Sequence, residues 1–337
     1  MPWLIGLHLH PLHARTCALS CYHPPPPSPH PHIAFRWNVE TGHKQRLFPS
    51  AKRFGPSILS VAVSDDGAVA AWAGADKKVY AHDFRSGKAA EPFVGHRATI
   101  SSLAFRCNTR QLFSGSHDRT VKVWNMDEMC YIETLYGHHS EVLGLDSLYQ
   151  ERALSVGSDR TLRLWKVVDE TQLIFRGHEA SIDCVSMTNE ELFVSGSQDG
   201  CVAVWSVRKK KPIASRARAH GLGGCGAAGG LDNWISSVAA MRFTDVFASG
   251  SCDGHVRLWQ VRDALACVRV CQLRLTYMLQ LGADNFGMNE LCSVEVKGWV
   301  NSMCFSQDRR FLFCGVGREH RLGRWFTDES GARALQL

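Results

Sequence analysis

One short phrase that returns at nearly fixed intervals constrains this chain more than anything else in it. GSHDRTVKVW closes at Trp124, GSDRTLRLW at Trp165, GSQDGCVAVW at Trp205 and GSCDGHVRLW at Trp259. Looser copies end at His82 (GADKKVYAH) and Trp325 (GREHRLGRW), and Trp37 in AFRWNVETG starts the series. Successive anchors lie 45, 42, 41, 40, 54 and 66 residues apart, so a unit of about 40 residues repeats. An array of this kind overrides the roughly two domains that chain length alone would suggest.

Within a unit the pattern is that of strands. From Ile58 an apolar run, ILSVAV, is followed by a turn at Ser64 to Gly67, the run AVAAWA, a turn at Asp76, the run KVYAH and a further segment after Gly87. Ser, Asp, Asn and Gly punctuate period-two apolar runs, and no helical period competes with them. Four short strands per unit, repeated seven times, predict an all-β, seven-bladed β-propeller. The first blade is expected to be incomplete, because only two strands, Ala34 to Trp37 and about Gln45 to Phe48, precede the unit at Ile58.

The three cleanest units show why particular residues recur. Each opens with Gly-His, at His96, His138 and His178, and closes on Trp124, Trp165 and Trp205. A serine stands ten residues before each Trp (Ser114, Ser155, Ser195) and an aspartate six before it (Asp118, Asp159, Asp199). The Asp is expected in the tight turn between the second and third strands, accepting bonds from backbone N–H groups and from the His. His then bonds Ser and Ser bonds the indole N–H, so that every polar group buried by blade packing is satisfied. Ser, His and Asp are also the parts of a hydrolase triad. A catalytic set occurs once, whereas this one recurs with a Trp as its fourth member, so the reading is a structural fastening and not an enzyme. His220 reads as the displaced histidine serving Ser249, Asp253 and Trp259.

The flanks read differently. Residues 1–32 carry Pro24 to Pro27 and six histidines without alternation and are expected to be disordered; the propeller then covers 33–327 and a tail 328–337. His8, His10 and His13 with Cys17 and Cys21 have zinc-ligand chemistry but no tight spacing to hold an ion, so no metal is expected. The run GLGGCG at Gly221 to Gly226 matches a dinucleotide fingerprint without its strand and helix, so it reads as linker and no cofactor is expected. Arg208 to Lys211, with Arg216 and Arg218, is either a nuclear-targeting or nucleic-acid patch or a solvated turn. No apolar run approaches the roughly 20 residues that cross a bilayer, which predicts no membrane partner. Cysteines inside apolar runs, such as Cys107 and Cys184, suit free thiols in a reducing compartment. The net charge of +6 admits a polyanionic partner without demanding one.

Gly-His, Ser and Asp at these offsets and a closing Trp resemble the WD-repeat family from about Ile33 to Trp325. That resemblance implies the propeller and says little about function, because such folds host many roles. GVGREHRLGRW, SHDRTVKVWN, HGLGG after a basic run and YIETLYGH further resemble the branch of the family associated with the U3 small nucleolar ribonucleoprotein. What this implies is a non-enzymatic subunit of the nucleus and nucleolus that binds the box B/C region of U3 small nucleolar RNA beside the box C/D core proteins. Its work there is pre-18S ribosomal RNA processing in the small-subunit processome. The branch carries a charged extension and a complete first blade that residues 1–32 do not match, so the chain looks shortened or differently started. A protein-binding adaptor is the alternative.

The resemblance names no RNA contacts, so these follow from geometry. Loops after Gly-His and turns carrying the Asp lie at one end of a propeller. There Lys77, Arg97, Arg119 and Arg160 fall on neighbouring blades, and Arg318, His320 and Arg321 crowd the last one. Cations in such an arc suit phosphate contact.

Overall fold

The computed structural model describes residues 58–87, 90–222, 232–262, 287–306, 308–317 and 320, together with the strand backbones at 2–4, 17–22, 33–38, 44–46 and 335–336. Every regular element among them is a strand, and the strands form seven antiparallel sheets, six of four strands and a last one of three. The third sheet shows the plan: Ile100–Phe105, Gln111–Ser116, Thr120–Asn125 and Cys130–Tyr136 pair in chain order. Its first strand is buried along its length and its outer strand is largely open to solvent. In the second to seventh sheets the pairing of the first two strands slips near its start, as between Val142 and Gly144 and between Ile182 and Cys184. A bulge repeated at one place bends each inner strand in the same way.

The core lies between sheets. Ala71, Val79 and Phe93 of the second sheet pack with Ile100, Leu112 and Trp124 of the third, and Phe113 and Val123 of the third meet Val142 and Trp165 of the fourth. Hydrogen bonds also stitch sheet to sheet, with Leu103 N of the third donating to Ser60 Oγ of the second at 3.0 Å and Ser236 Oγ of the sixth to Val300 O of the seventh at 2.6 Å. The glycine of the recurring phrase lies at such a seam. A Cβ at Gly115 would stand 2.7 Å from Val142 Cγ1 of the next sheet, so only glycine lets the sheets approach this closely.

Three regions differ from the sequence reading. Residues 1–32, expected to be disordered, contain the strands Pro2–Leu4 and Cys17–Tyr22. Cys17–Tyr22 pairs with Ile33–Asn38, so the two expected strands of the first blade are completed to four from upstream. The physical reason is the open edge of Ile33–Asn38, whose backbone N–H and C=O groups need partners whatever the pairing strand is made of. Pro2–Leu4 in turn lies beside Leu312–Gly317 of the seventh sheet. Second, the tail at 328–337 supplies Leu335–Gln336 as the third strand of that last sheet. Third, the basic run after Trp205 is an outer strand, Lys209–Arg216, paired with Val202–Ser206. Lys209 to Lys211 stand exposed along it, and Arg208 meets Glu191 at 2.6 Å. The long step between Trp259 and Trp325 likewise contains the outer strand of the sixth sheet, Gly287–Glu295. Residues 263–286, Gly223 to Gly230, and His8, His10 and His13 lie outside the described residues.

Candidate nucleic-acid interface

In the third sheet His96 Nδ1 lies 2.8 Å from Asp118 Oδ2 and His96 Nε2 lies 2.8 Å from Ser114 Oγ, which also accepts from Trp124 Nε1 at 2.8 Å. The fourth sheet repeats this with His138, Asp159, Ser155 and Trp165 at 2.9, 2.7 and 2.7 Å. In the sixth, His220 meets Asp253 at 2.9 Å and Ser249 at 2.8 Å, and Trp259 Nε1 donates to Ser249 at 2.7 Å. The fifth sheet holds His178 to Ser195 and Trp205 to Ser195 at 2.7 and 2.8 Å, but its His178–Asp199 distance opens to 3.4 Å. All four serines are fully buried, so each hydroxyl serves two partners that have no water to turn to.

The aspartates do more than fasten. Asp118 also accepts from Arg97 N at 2.9 Å and from Thr120 Oγ1 at 2.6 Å. Burial alone would raise its pKa, but bonds from His96, Thr120 and the Arg97 amide outweigh burial and hold the carboxyl far below the ordinary range. Asp159 is held low in the same way, and Asp199 reaches about 2. Burial lowers His138 despite the attraction of Asp159, so this imidazole is neutral near pH 7 and only orients its neighbours. Each carboxylate therefore fixes two backbone positions at one end of its sheet: the residue after the His, whose amide it accepts, and the turn residue after itself, which it brackets by accepting the amide of the residue beyond.

Those positions carry the cations. Arg97 follows His96, and Lys77, Arg119 and Arg160 follow the turn aspartates; all four side chains are exposed. Lys77, Arg119 and Arg160 have φ of 64°, 70° and 60°, a left-handed conformation that costs an L side chain about 1–2 kcal/mol. Gly200 and Gly254 take the same turn position in the fifth and sixth sheets at 71° and 76°. Three successive sheets thus keep a long cation where the backbone favours glycine. Arg318 and Arg321 lie outside the described residues. His320 is half-buried and packs edge-on against Trp299, ring centroids 5.6 Å apart, instead of standing free on the rim.

The sequence reading missed several contacts. In the second sheet Trp72, which the offsets themselves place in the serine position, stacks on Tyr80 at 5.8 Å. Burial and a hydrogen bond to Asp76 push the Tyr80 phenol up, so a tyrosine uses the carboxylate that a histidine uses elsewhere. Among the described residues, His178, Asp199 and Cys201 form one group of metal-ligand chemistry. Burial, then the Asp199 charge, pushes the Cys201 thiol up to about 12, which opposes the thiolate that a metal requires. Trp234 lies just before the first strand of the sixth sheet and Trp299 opens that of the seventh, and their recurrence at one place was the available signal.

Sheets stacked in chain order, four of them each holding a buried His-Ser-Asp-Trp chain, define a β-propeller scaffold. A family pattern described as WD domain, G-beta repeat, matches residues 87–125, 129–166, 169–206 and 228–260. The chain is 42% identical to U3 small nucleolar RNA-interacting protein 2 of Homo sapiens over 86% of its own length and 59% of that protein. It is 30% identical to ribosomal RNA-processing protein 9 of Saccharomyces cerevisiae, covering 82% of this chain and 56% of that one. Both relatives are longer, so the chain spans less than two thirds of either. The solved structure of the RRP9 WD40 repeats superposes with a TM-score of 0.82 at 39% identity, covering 95% of this chain and 89% of that one. The chain belongs to the WD40-repeat family, a family of scaffolds, and its relatives here are proteins of the U3 small nucleolar ribonucleoprotein and of ribosomal RNA processing.

Proposed function

We propose that this chain is the RNA-binding propeller of a U3 small nucleolar ribonucleoprotein subunit, working without catalysis in the nucleolus on pre-18S ribosomal RNA. Its partners in this reading are U3 small nucleolar RNA, the box C/D core proteins and the small-subunit processome. The observation that carries it is the left-handed placement of Lys77, Arg119 and Arg160. Backbone strain retained at exposed positions points to a use outside the fold, and cations are what a phosphodiester chain requires. Arg97, whose amide donates to Asp118, the residue before Arg119, adds a fourth charge at this end. Affinity would come from phosphate contact, and specificity from the folded shape of the RNA.

The test combines Arg97→Ala, Arg119→Gly and Arg160→Gly in one protein. Glycine relieves the strained positions, so the fold should hold. The slope of log affinity against log salt should flatten by about 2, since each lost contact removes roughly 0.7. An unchanged slope in a folded variant would remove the rim cations from RNA binding. The adaptor reading has its own observation at the other end of the sheets, where Tyr149 and Phe243, 45% and 49% exposed, stack at 5.7 Å. That pair suits contact with a neighbouring protein of the same particle.

A further inference from the structure

A strand of RNA held by rim phosphates leaves its bases to be accommodated. Resting on the RNA-binding reading above, we infer that Trp234, backed by Trp299 and His320, is a stacking site for one unpaired nucleobase at the end of the propeller that carries the cations.

Trp234 lies directly before Ile235–Ala240, and Trp299 opens the strand Trp299–Phe305, so the two stand at matching places in adjacent sheets. Thr99, Glu141 and Ser181 hold that place in the third, fourth and fifth sheets. Its location at the turn end follows from the backbone: Thr99 O accepts from His117 N at 2.9 Å, Ser181 O from Gln198 N at 2.9 Å and Trp234 O from Ser251 Oγ at 2.5 Å. His117, Gln198 and Ser251 each lie within two residues of a turn aspartate. The ring that small or polar residues occupy elsewhere is therefore indole in two sheets, at the end where Arg119 and Arg160 are presented.

The three rings form one group. Trp234 and Trp299 are 6.4 Å apart at 71°, Trp234 and His320 are 6.3 Å apart at 88°, and Trp299 and His320 are 5.6 Å apart at 64°. Edge-to-face contacts of this kind hold rings rigidly. Trp299 is 2% exposed and forms the support, whereas Trp234 is only partly buried. A rigid, partly open indole is the surface on which an unstacked base gains its binding energy, whatever the base, because every base has a π face. The cations belong to the second, third and fourth sheets and the aromatics to the sixth and seventh. A strand laid across this end would meet phosphate contacts on one side and a stacking contact on the other, the pairing of features by which single strands are held. His320, placed by the sequence reading among the cations, takes part as a ring.

The experiment measures binding of a short single-stranded RNA of mixed sequence and of the same strand made abasic, to the wild-type chain, Trp234→Ala, Trp234→Phe and the triple rim variant of Arg97, Arg119 and Arg160. The wild type should prefer the base-bearing strand by roughly tenfold, the effect of one stacked base. Trp234→Ala should erase that preference and leave the salt slope alone, while Trp234→Phe keeps most of it and guards against a merely unfolded variant. Equal affinity of wild type for both strands, or an undiminished preference in folded Trp234→Ala, would overturn the stacking site even with the rim variant weakened. Loss of neither strand in the rim variant would instead count against the RNA-binding reading itself.

Discussion

The third and fifth sheets share a frame and differ at its rim. Ser114 and Ser195 each sit 2.7–2.8 Å from their His and Trp. Around them almost everything exchangeable has been exchanged. Arg97 corresponds to Glu179, Arg119 to Gly200 and Thr120 to Cys201, and the His–Asp distance passes from 2.8 to 3.4 Å. The buried half of each unit is fixed by the need to satisfy a serine, an imidazole and an indole without water. No such need governs the rim, so what varies there is free to serve a ligand. Charge is accordingly uneven: the second to fourth sheets present cations, and the fifth presents Glu179 and Gly200.

Exchanging the two turn residues breaks the comparison most sharply. Gly200 has φ of 71° and a Cβ there would lie 3.0 Å from Asp232 Cβ and 3.2 Å from Asn233 O. Gly200→Arg meets both the left-handed penalty and a clash with the chain at 232–233, so we expect a loss of about 2–4 kcal/mol in denaturant unfolding. Arg119→Gly should move the other way, by about 0.5–1 kcal/mol, because it only releases strain. A destabilised Arg119→Gly would show that the arginine is held for the fold and not for a ligand.

Next in size is a change that the two sheets should feel alike. Ser114→Ala and Ser195→Ala each leave a Trp Nε1–H and a His Nε2 buried without their shared partner, which costs about 1–3 kcal/mol. Equal losses in the two variants are expected, since the serine distances match. A much smaller loss at Ser195 would mean that the longer His178–Asp199 contact has already loosened the whole chain of bonds.

What the sequence made legible follows the same division. His96, Ser114, Asp118 and Trp124 could be read as one group because buried polar atoms must find partners and the offsets repeat. Even His220 could be matched to Ser249 and Asp253 across 29 and 33 residues on that requirement. Cys17–Tyr22 could not be read as a strand, because its pairing is set by a vacancy on Ile33–Asn38 and not by its own alternation. Lys209–Arg216 looked like a loop since an outer strand exposed to water tolerates the charges of one, and lysines there also guard the sheet edge. The strain at Arg119 and Arg160 is a backbone property, visible in the sequence only by noticing that Gly200 and Gly254 fall in the same register. Tyr80 was missed because its bond to Asp76 replaces the usual histidine with a residue of different reach.

The smallest expected effect tests why the fifth fastening is longer. Thr120 and Thr161 donate their hydroxyls to Asp118 and Asp159 at 2.6 and 2.7 Å. Cys201 stands in that place, and its thiol, 3.7 Å from Val202 O, gives Asp199 no comparable bond. A carboxylate held by one hydroxyl fewer is less firmly aimed at its histidine, which accounts for the 3.4 Å separation of His178 and Asp199. Cys201→Thr should restore the bond and add about 0.5 kcal/mol of stability. It should also shift the His178 Nδ1–H proton resonance towards that of His138 as the contact shortens. A resonance that stays where it is, with the stability gain present, would trace the long contact to the glycine turn at Gly200 and leave the thiol without a part in it.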